Sequence, residues 1–412
     1  MVMKKIFRLF FILVSVNTFA QQKSVDYYLL SALQNSPLFV ENKNQIVSLK
    51  YDSLRIRASF KPHLDFDSYN VYAPVINGFG YDNAITNGGA FTALVGANLS
   101  IIGKQNLSNQ FQNIELQSQS LHVAGKLSEK ELKQNISMQY INVYAEQQML
   151  RNTEEVLIVL LKEDTILKKL AEQGVYRETD YLSFLVNYKQ QELAYNQRKL
   201  QMKNDFALLN YSCGLVDTTY SELGKPLFEQ KFILQSEQTL AFKQYLIDSM
   251  MIKNNYEQVK FGYKPHLNLF GDAGYNSSLA YKAQKNFGTS AGLKLAIPIY
   301  DGKQRYLRYE KIKLSENTRI SYMQFYKKQY SQKVLQLQQQ IKNTEQIMNE
   351  AEKQLSLSDA LVQANRKLLI TGDVKIVDYI LALANYISSK STVLQLRINK
   401  LQLINEFNYL NY

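Results

Sequence analysis

Tryptophan is absent from the 412 residues, and cysteine, histidine, proline and glycine are all scarce. The single cysteine, Cys213, cannot form an intrachain disulfide or a thiolate metal cage, and three histidines are too few for most histidine-rich metal sites. Only 6 Pro and 17 Gly predict long, uninterrupted elements with few turns. The composition therefore argues against zinc and disulfide chemistry and against a mosaic of short βαβ units.

Long apolar runs are also missing, apart from one short stretch near the N-terminus. Three basic residues precede the apolar residues 9–16, and a small-residue cleavage site follows at 18–20. This order predicts a secretory signal over 1–20 rather than a transmembrane helix, which needs about 20 consecutive apolar residues. Its removal would lower the net charge from +12 to +9. Beyond the signal no 18-residue apolar run exists, so any membrane span must be built of strands, and no nucleic-acid partner is expected for an exported chain.

The rest of the chain contains an internal repeat. Three short markers occur twice, in the same order and at nearly constant spacing, which chance would rarely produce. They are Lys61-Pro62-His63-Leu64 with Lys264-Pro265-His266-Leu267, Gly103-Lys104-Gln105 with Gly302-Lys303-Gln304, and Gly174, Asp180 and Tyr181 with Gly372, Asp378 and Tyr379. Each copy is predicted as helix, strand pair, very long helix, glycine break and second long helix.

The predicted boundaries follow from this plan. The first repeat covers 21–213, with a β-hairpin at about 62–102 and long helices at 104–172 and 178–212. A linker covers 214–237, and the second repeat covers 238–412, with a hairpin at about 265–299 and long helices at 303–370 and 376–410. The connections 74–89 and 276–286, rich in Gly, Asn and Tyr, are predicted as external loops.

Apolar residues recur at every seventh position of the long helices. The second copy has Val334, Ile341, Met348, Leu355, Val362 and Leu369, and the first has Ile136, Val143, Leu150 and Leu157 before the pattern ends at Asp164. A period of seven keeps an apolar stripe on one side of supercoiled helices. Periodicity alone leaves open whether the helices form a plain antiparallel coiled coil or a larger ring.

The segments between the helices alternate apolar with small or polar residues, the pattern of strands with two unlike faces. Val95 and Leu293 belong to the apolar face, which we expect to contact lipid. A soluble β-sandwich with one wet face is the alternative. Because four strands cannot close a barrel, the membrane interpretation requires oligomerisation. The residues predicted to line the barrel lumen are Asp65, Asp67, Asp272 and Lys294.

Three motifs in this order resemble the TolC-like outer-membrane efflux channel family. Residues 32–37 are similar to the first-helix motif Ala-Leu-x-Asn-Asn-Pro, with Ser36 in place of the second Asn. Residues 297–302 are similar to Pro-Leu-Phe-Asp-Gly at a strand-to-helix junction, and 372–382 are similar to Gly-x-x-x-x-x-Asp-x-Leu-x-Ala. Each motif is weak alone, but together, in order and at this spacing, they make a strong resemblance over nearly all of 24–412.

The resemblance implies a mainly α protein with β structure, in which three subunits build a 12-stranded transmembrane β-barrel that continues into a long periplasmic α-helical barrel. It implies an outer-membrane export duct of a tripartite efflux or type I secretion system, without enzymatic activity or cofactor. Its partners would be a periplasmic adaptor and an inner-membrane transporter. The alternative from another class is a periplasmic coiled-coil adaptor (membrane-fusion protein) or structural protein, but two equivalent hairpins favour the duct.

The resemblance also implies a pore constriction at the periplasmic tip. Asp378 occupies the position of the family's pore-facing aspartate, although Leu381 stands where some members carry a second one. The alternative for Asp378 is a solvated residue that stabilises a helix start through the dipole. The glycines at 174 and 372 are predicted to end helices. The predicted tip residues are Asp378, Asp373, Lys375, Asp180 and Glu178.

Catalytic patterns are weak. His63, Asp65 and Asp67 could be drawn as a metal site, but a polar strand face explains them without a ligand. Nucleophile elbows, phosphate loops and dinucleotide-binding loops are absent from the sequence. Lys61 and Lys264, each before a proline, are predicted as junction residues at the membrane rim.

Overall fold

The computed structural model describes residues 23–82, 88–101, 103–217, 220–279 and 282–410, so the predicted signal peptide lies outside it. The first repeat consists of α1 (Val25–Asn35), α2 (Pro37–Ala58), β1 (His63–Tyr72), β2 (Gly89–Ile101), α3 (Lys104–Glu172) and α4 (Glu178–Ser212). The second consists of α5 (Leu240–Gly262), β3 (His266–Ser277), β4 (Phe287–Ala296), α6 (Gln304–Thr371) and α7 (Ile376–Leu410). Within these ranges no helix has both the length and the hydropathy that a membrane-spanning helix needs.

This order confirms two tandem helix and hairpin repeats in a mainly α fold. The repeats differ at their first helix, which is broken in the first copy between α1 and α2. Ser36 is extended at the break, and Pro37 takes the first helical position of α2, where its missing N–H is not needed. The strand β4 ends at Ala296, so the predicted strand residues that follow it lie in the connection to α6.

Contacts within the chain group into two compact units that do not coincide with the repeats. One unit combines residues up to 36 with 131–231 and 335–410, and the other combines 37–130 with 232–334. Each unit therefore contains segments of both repeats, and the long helices α3 and α6 each contribute residues to both units.

In the first of these units, four helices from both repeats share one apolar core. The side chains of this core that are at most 2% exposed include Leu160 and Leu167 of α3, Phe184 of α4 and Leu369 of α6.

The heptad stripe, which runs through both units, is only partly buried. Its buried members are Ile136, Val143, Val334, Ile341, Val362 and Leu369, whereas Leu150, Leu157, Met348 and Leu355 are half-buried.

The second unit holds a four-stranded antiparallel sheet with the order β1-β2-β3-β4. The register pairs His63 with Asn98, Leu267 with Ile101 and His266 with Ala296. These pairs place the four connections to helices at one end of the sheet. The hairpin connections, after β1 and after β3, therefore lie at the opposite end.

Candidate pore-lining site

The four residues predicted to line a lumen lie on one face of the sheet. Strand pairing puts Asp65 opposite Gly96 and Gly96 opposite Asp272, so one glycine separates the two carboxylates across the sheet. Asp67 lies two residues beyond Asp65 on the same face. Lys294 pairs with Asn268, four residues before Asp272, and therefore belongs to this face as well.

Small side chains surround these charges. The hydroxyl of Ser290 donates a hydrogen bond to the Asp272 carboxylate (2.6 Å), which fixes the position of this acid. The ring of Phe270 covers Gly292 on the neighbouring strand so closely that a Cβ at that glycine would lie 2.5 Å from the ring. This face therefore combines a hydrogen-bonded carboxylate, Asp272, with a glycine, Gly292, at which any larger residue would displace the Phe270 ring.

The opposite face of the sheet is apolar and exposed. Four of its large side chains are between 52% and 72% exposed, and the strand register places them on the same side of the sheet. They are Leu64, Phe66, Val95 and Leu293. A contiguous exposed surface of large apolar side chains marks a contact with lipid or with another protein. The charged face therefore favours contact with water, and the apolar face favours contact with lipid or with another protein.

The outer edges of the sheet have no strand partner within the described chain. The edge strands are β1 and β4, and each of the three neighbouring pairs is antiparallel. As a result β1 and β4 run in opposite directions. The free edge of β4 can therefore accept β1 of another copy and continue the antiparallel alternation.

In the other unit, the turn between α3 and α4 ends the helix at a glycine. Gly174 has a φ of 75°, and its N–H donates to the Ala171 carbonyl (3.0 Å) while the Val175 N–H donates to the Leu170 carbonyl (3.0 Å). These two bonds define a Schellman turn, which satisfies the last carbonyls of the helix. The prediction of a helix-ending glycine is confirmed here.

The turn between α6 and α7 has the same geometry. Gly372 has a φ of 80°, its N–H donates to the Leu369 carbonyl (3.3 Å), and the Asp373 N–H donates to the Leu368 carbonyl (3.0 Å). The hydroxyl of Thr371 also donates to the Asp373 carboxylate (2.5 Å). Asp373, predicted to contribute to the constriction, is thus an exposed part of the turn itself.

The remaining predicted tip residues begin the two helices that follow these turns. The N–H groups of Asp180 and Asp378 donate to the carbonyls of Arg177 and Lys375, respectively (3.0 and 3.1 Å). Both acids therefore lie in a first helical turn, where the helix dipole favours negative charge. Asp378 is exposed, Asp180 is half-buried, and Glu178 is the exposed first residue of α4.

Lys375 does not form an ion pair with Asp378 in the described chain, although three residues separate them. Lys375 contributes its carbonyl to the start of α7, and its side chain is exposed. The carboxylate of Asp378 therefore projects its charge into solvent without a basic partner from this neighbour.

Sequence reasoning missed a buried polar cluster close to these turns. Glu163 is 1% exposed, and its carboxylate lies 2.9 Å from the Nε of Arg366. The hydroxyl of Tyr379, a fully buried residue, faces the same carboxylate. Burial raises the pKa of Glu163, against the opposing effects of Arg366 and of the tyrosine hydroxyl. Burial also raises the pKa of Tyr379.

No protein-family model and no curated protein matches the sequence significantly, but solved structures match its fold. The outer membrane protein VceC from Vibrio cholerae superposes with a TM-score of 0.78 at 10% identity, over 94% of this chain and 96% of VceC. The outer membrane channel CmeC of Campylobacter jejuni gives 0.74 at 13% identity, over 94% and 85% of the two chains.

The open state of the outer membrane channel MtrE of Neisseria gonorrhoeae gives a TM-score of 0.73 at 11% identity, over 94% of this chain and 88% of MtrE. At such low identity these matches establish the fold. They agree with the order of helices, hairpins and glycine turns described above. The chain therefore has the fold of TolC-like outer-membrane channels, as the sequence motifs implied.

Proposed function

We propose that this protein is an outer-membrane duct, in which three copies form one channel for export from the periplasm. The fold shared with outer-membrane channels supports this proposal. The observation that carries it is the four-stranded sheet, which exposes a charged face and an apolar face and whose two edge strands have no further strand partner among the described residues. Such a sheet is stabilised when lipid covers the apolar face, water covers the charged face, and the edges pair with strands of other copies.

We infer three copies from the interior that a closed barrel of this sheet would need. Pairing β4 of one copy with β1 of the next is a head-to-tail contact, which closes into a ring when the rotation permits. Two copies would give about eight strands, whose interior is just filled by side chains. Three copies would give twelve strands, and the polar face with its glycines and carboxylates would then line an open lumen.

The helical turns would form the periplasmic entrance of this duct. Exposed apolar side chains flank the two turns, including Leu182 and Val186 on α4 and Val377 and Leu381 on α7. Such residues favour a contact with partner proteins. We expect the partners to be a periplasmic adaptor and an inner-membrane transporter, so that the system serves efflux or type I secretion.

The test is membrane fractionation followed by single-channel recording. We expect the full-length protein to sediment with outer membranes, to migrate as a detergent-resistant trimer, and to conduct ions after purification into planar bilayers. A monomer in the soluble periplasmic fraction would instead favour an adaptor or structural protein. A trimer in the outer membrane without conductance would contradict a duct but not the assembly.

A further inference from the structure

The four connections between the sheet and the helices carry most of the excess positive charge of this chain. These connections contain eight basic residues and one acidic residue, whereas the net charge of all 412 residues is +12. Their residue ranges are 57–63, 101–106, 260–266 and 297–308. Because the strands alternate in direction, the described residues of all four segments lie at the same end of the sheet. We call them the junction surface. Its charged residues are Arg57, Lys61, Lys104, Lys260, Lys264, Lys303, Arg305, Arg308 and Asp301.

Little of this charge is neutralised within the protein. Asp301, the single acid, accepts a hydrogen bond from the main-chain N–H of Arg305 (2.6 Å) and so caps the start of α6. Lys260 pairs with Glu257 (3.3 Å), but Lys61 and Lys303 have no carboxylate partner among the described residues. The junction surface is therefore a concentration of available positive charge.

Aromatic rings accompany the basic side chains. Arg305 lies over the rings of Tyr263 and Tyr309, with 5.5 and 5.7 Å to the ring centroids. Lys264 lies 4.5 Å from the ring centroid of Phe261. Tyrosine next to lysine and arginine is the side-chain combination that favours the boundary between hydrocarbon and water.

The two central connections line an open cavity of about 310 Å³. Its polar lining includes Lys104, Gln105, Lys264 and His266, and the start of α3 at Lys104 adds the partial positive charge of a helix N-terminus. The ammonium group of Lys264 donates to the Gln105 side chain (3.2 Å), which holds it beside the cavity. A negatively charged group of moderate size fits this environment.

The cavity also reaches the apolar face of the sheet. Ile101 lines it, is 46% exposed, and pairs with Leu267 in register with the other apolar residues of that face. The cavity lies at the ends of β2 and β3, the two inner strands, which pairing of the sheet edges with other copies does not involve. A ligand bound here would meet positive charge at one end and an apolar surface at the other.

We propose that the junction surface binds glycerophospholipids, with the phosphate in the cavity formed by Lys104, Lys264 and His266 and the acyl chains along the apolar face beyond Ile101. The proposal rests on the proposed function, in which this end of the sheet faces the periplasmic leaflet. Ammonium groups and helix N-termini bind phosphate oxygens, and each Lys or Arg near an anionic membrane surface strengthens attraction to it. The site would anchor the barrel at a fixed depth.

Native mass spectrometry of the detergent-purified full-length protein tests this proposal without requiring channel activity. The probes are phosphatidylglycerol and diacylglycerol, which differ by the phosphate-containing headgroup. We expect the wild type to retain phosphatidylglycerol preferentially, and Lys104→Gln/Lys264→Gln to lose about five-fold in that preference for each lysine removed. Lys285→Gln/Lys328→Gln removes two exposed lysines elsewhere and should retain the wild-type preference.

An equal loss in both double variants, or no loss in either, would overturn the proposal. A further measurement adds excess inorganic phosphate to the lipid-bound protein. If phosphate displaces the lipid, the cavity is a site for free anions and not for a lipid headgroup. Conductance and trimer content are measured on the same preparations. If the trimer conducts but shows no headgroup preference, only the lipid site fails; if no trimer or conductance is found, the proposed function fails whatever lipid is bound.

Discussion

Tyr176 and Val374 occupy equivalent positions in the two repeats, and the hydroxyl of Tyr176 lies 2.8 Å from the main-chain carbonyl of Val374. The same hydroxyl lies 2.9 Å from the carbonyl of Leu369, at the end of α6. One side chain of the first glycine turn thus holds the main chain of the second turn on both sides of Gly372. The two turns are equivalent in sequence position but not in role, because Val374 has no hydroxyl that could donate to the main chain of the first turn.

Tyr176→Phe removes the hydroxyl but keeps the ring, so it tests this link between the two turns. We expect a local loss of about 0.5–1.5 kcal/mol, because the Val374 carbonyl loses this donor, whereas the Leu369 carbonyl still accepts a hydrogen bond from the Gly372 N–H. Hydrogen exchange of the main-chain amides from 372 to 379 should accelerate. Tyr195→Phe is the matched control, since the hydroxyl of Tyr195 has no hydrogen-bond partner in the described chain. Equal protection in both variants would show that the link does not hold the turn.

The turns and strands could be predicted from sequence because their signals are local. Gly174 and Gly372 end helices through their own backbone conformation, and alternation along a strand fixes which residues share a face. The placement of Asp65 and Asp272 on one face therefore needed no knowledge of the strand order, although their common level across Gly96 came only from the register.

The buried cluster could not be predicted in the same way. Glu163 meets Arg366 and Tyr379 from two other helices about 200 residues away in sequence, and no local pattern encodes that contact. One signal was present, since Glu163 follows Leu160 by three residues and precedes Leu167 by four, which puts a carboxylate on a core-facing stripe. A charged residue at such a position requires a buried partner.

Arginine substitutions test which face of the sheet contacts lipid. Val95→Arg or Leu293→Arg should cost about 2–4 kcal/mol near the bilayer midplane, because the apolar face cannot solvate the charge. Asn98→Arg and Ser290→Arg place the same charge on the polar face, where Asp272 is adjacent to Ser290. The yield of heat-resistant trimer from outer membranes measures the difference. Similar losses for all four variants would contradict the assignment of the two faces.

The buried carboxyl group predicts a pH dependence of stability. Burial raises the pKa of Glu163 above its ordinary value of 4.5, so the folded state binds this proton more tightly than the unfolded state does. The contribution is fully present below 4.5 and is lost as the pH rises through the raised pKa. Glu163→Gln cannot ionise, so its unfolding free energy should lack this decrease.

Urea unfolding of the helices, monitored by circular dichroism between about pH 4 and 8, measures the difference in unfolding free energy between the wild type and Glu163→Gln. Glu146→Gln provides a second case, because burial also raises the pKa of Glu146, beside Arg198. Each variant should remove its own part of the pH dependence, and the double variant should remove both. Parallel curves for wild type and Glu163→Gln would show that Glu163 is not the source.

Asp378→Asn tests whether the start of α7 faces the channel. Its carboxylate is exposed and unpaired with Lys375, so three copies in a trimer would concentrate cations at the tip. In planar bilayers the variant should show a lower preference for cations, and block by trivalent cations should weaken by roughly ten-fold. Glu350→Gln removes an exposed charge from α6, outside the tip, and should leave both properties unchanged. If Asp378→Asn also leaves them unchanged while thermal stability falls by about 0.3–1 kcal/mol, Asp378 serves the helix dipole and points away from the channel.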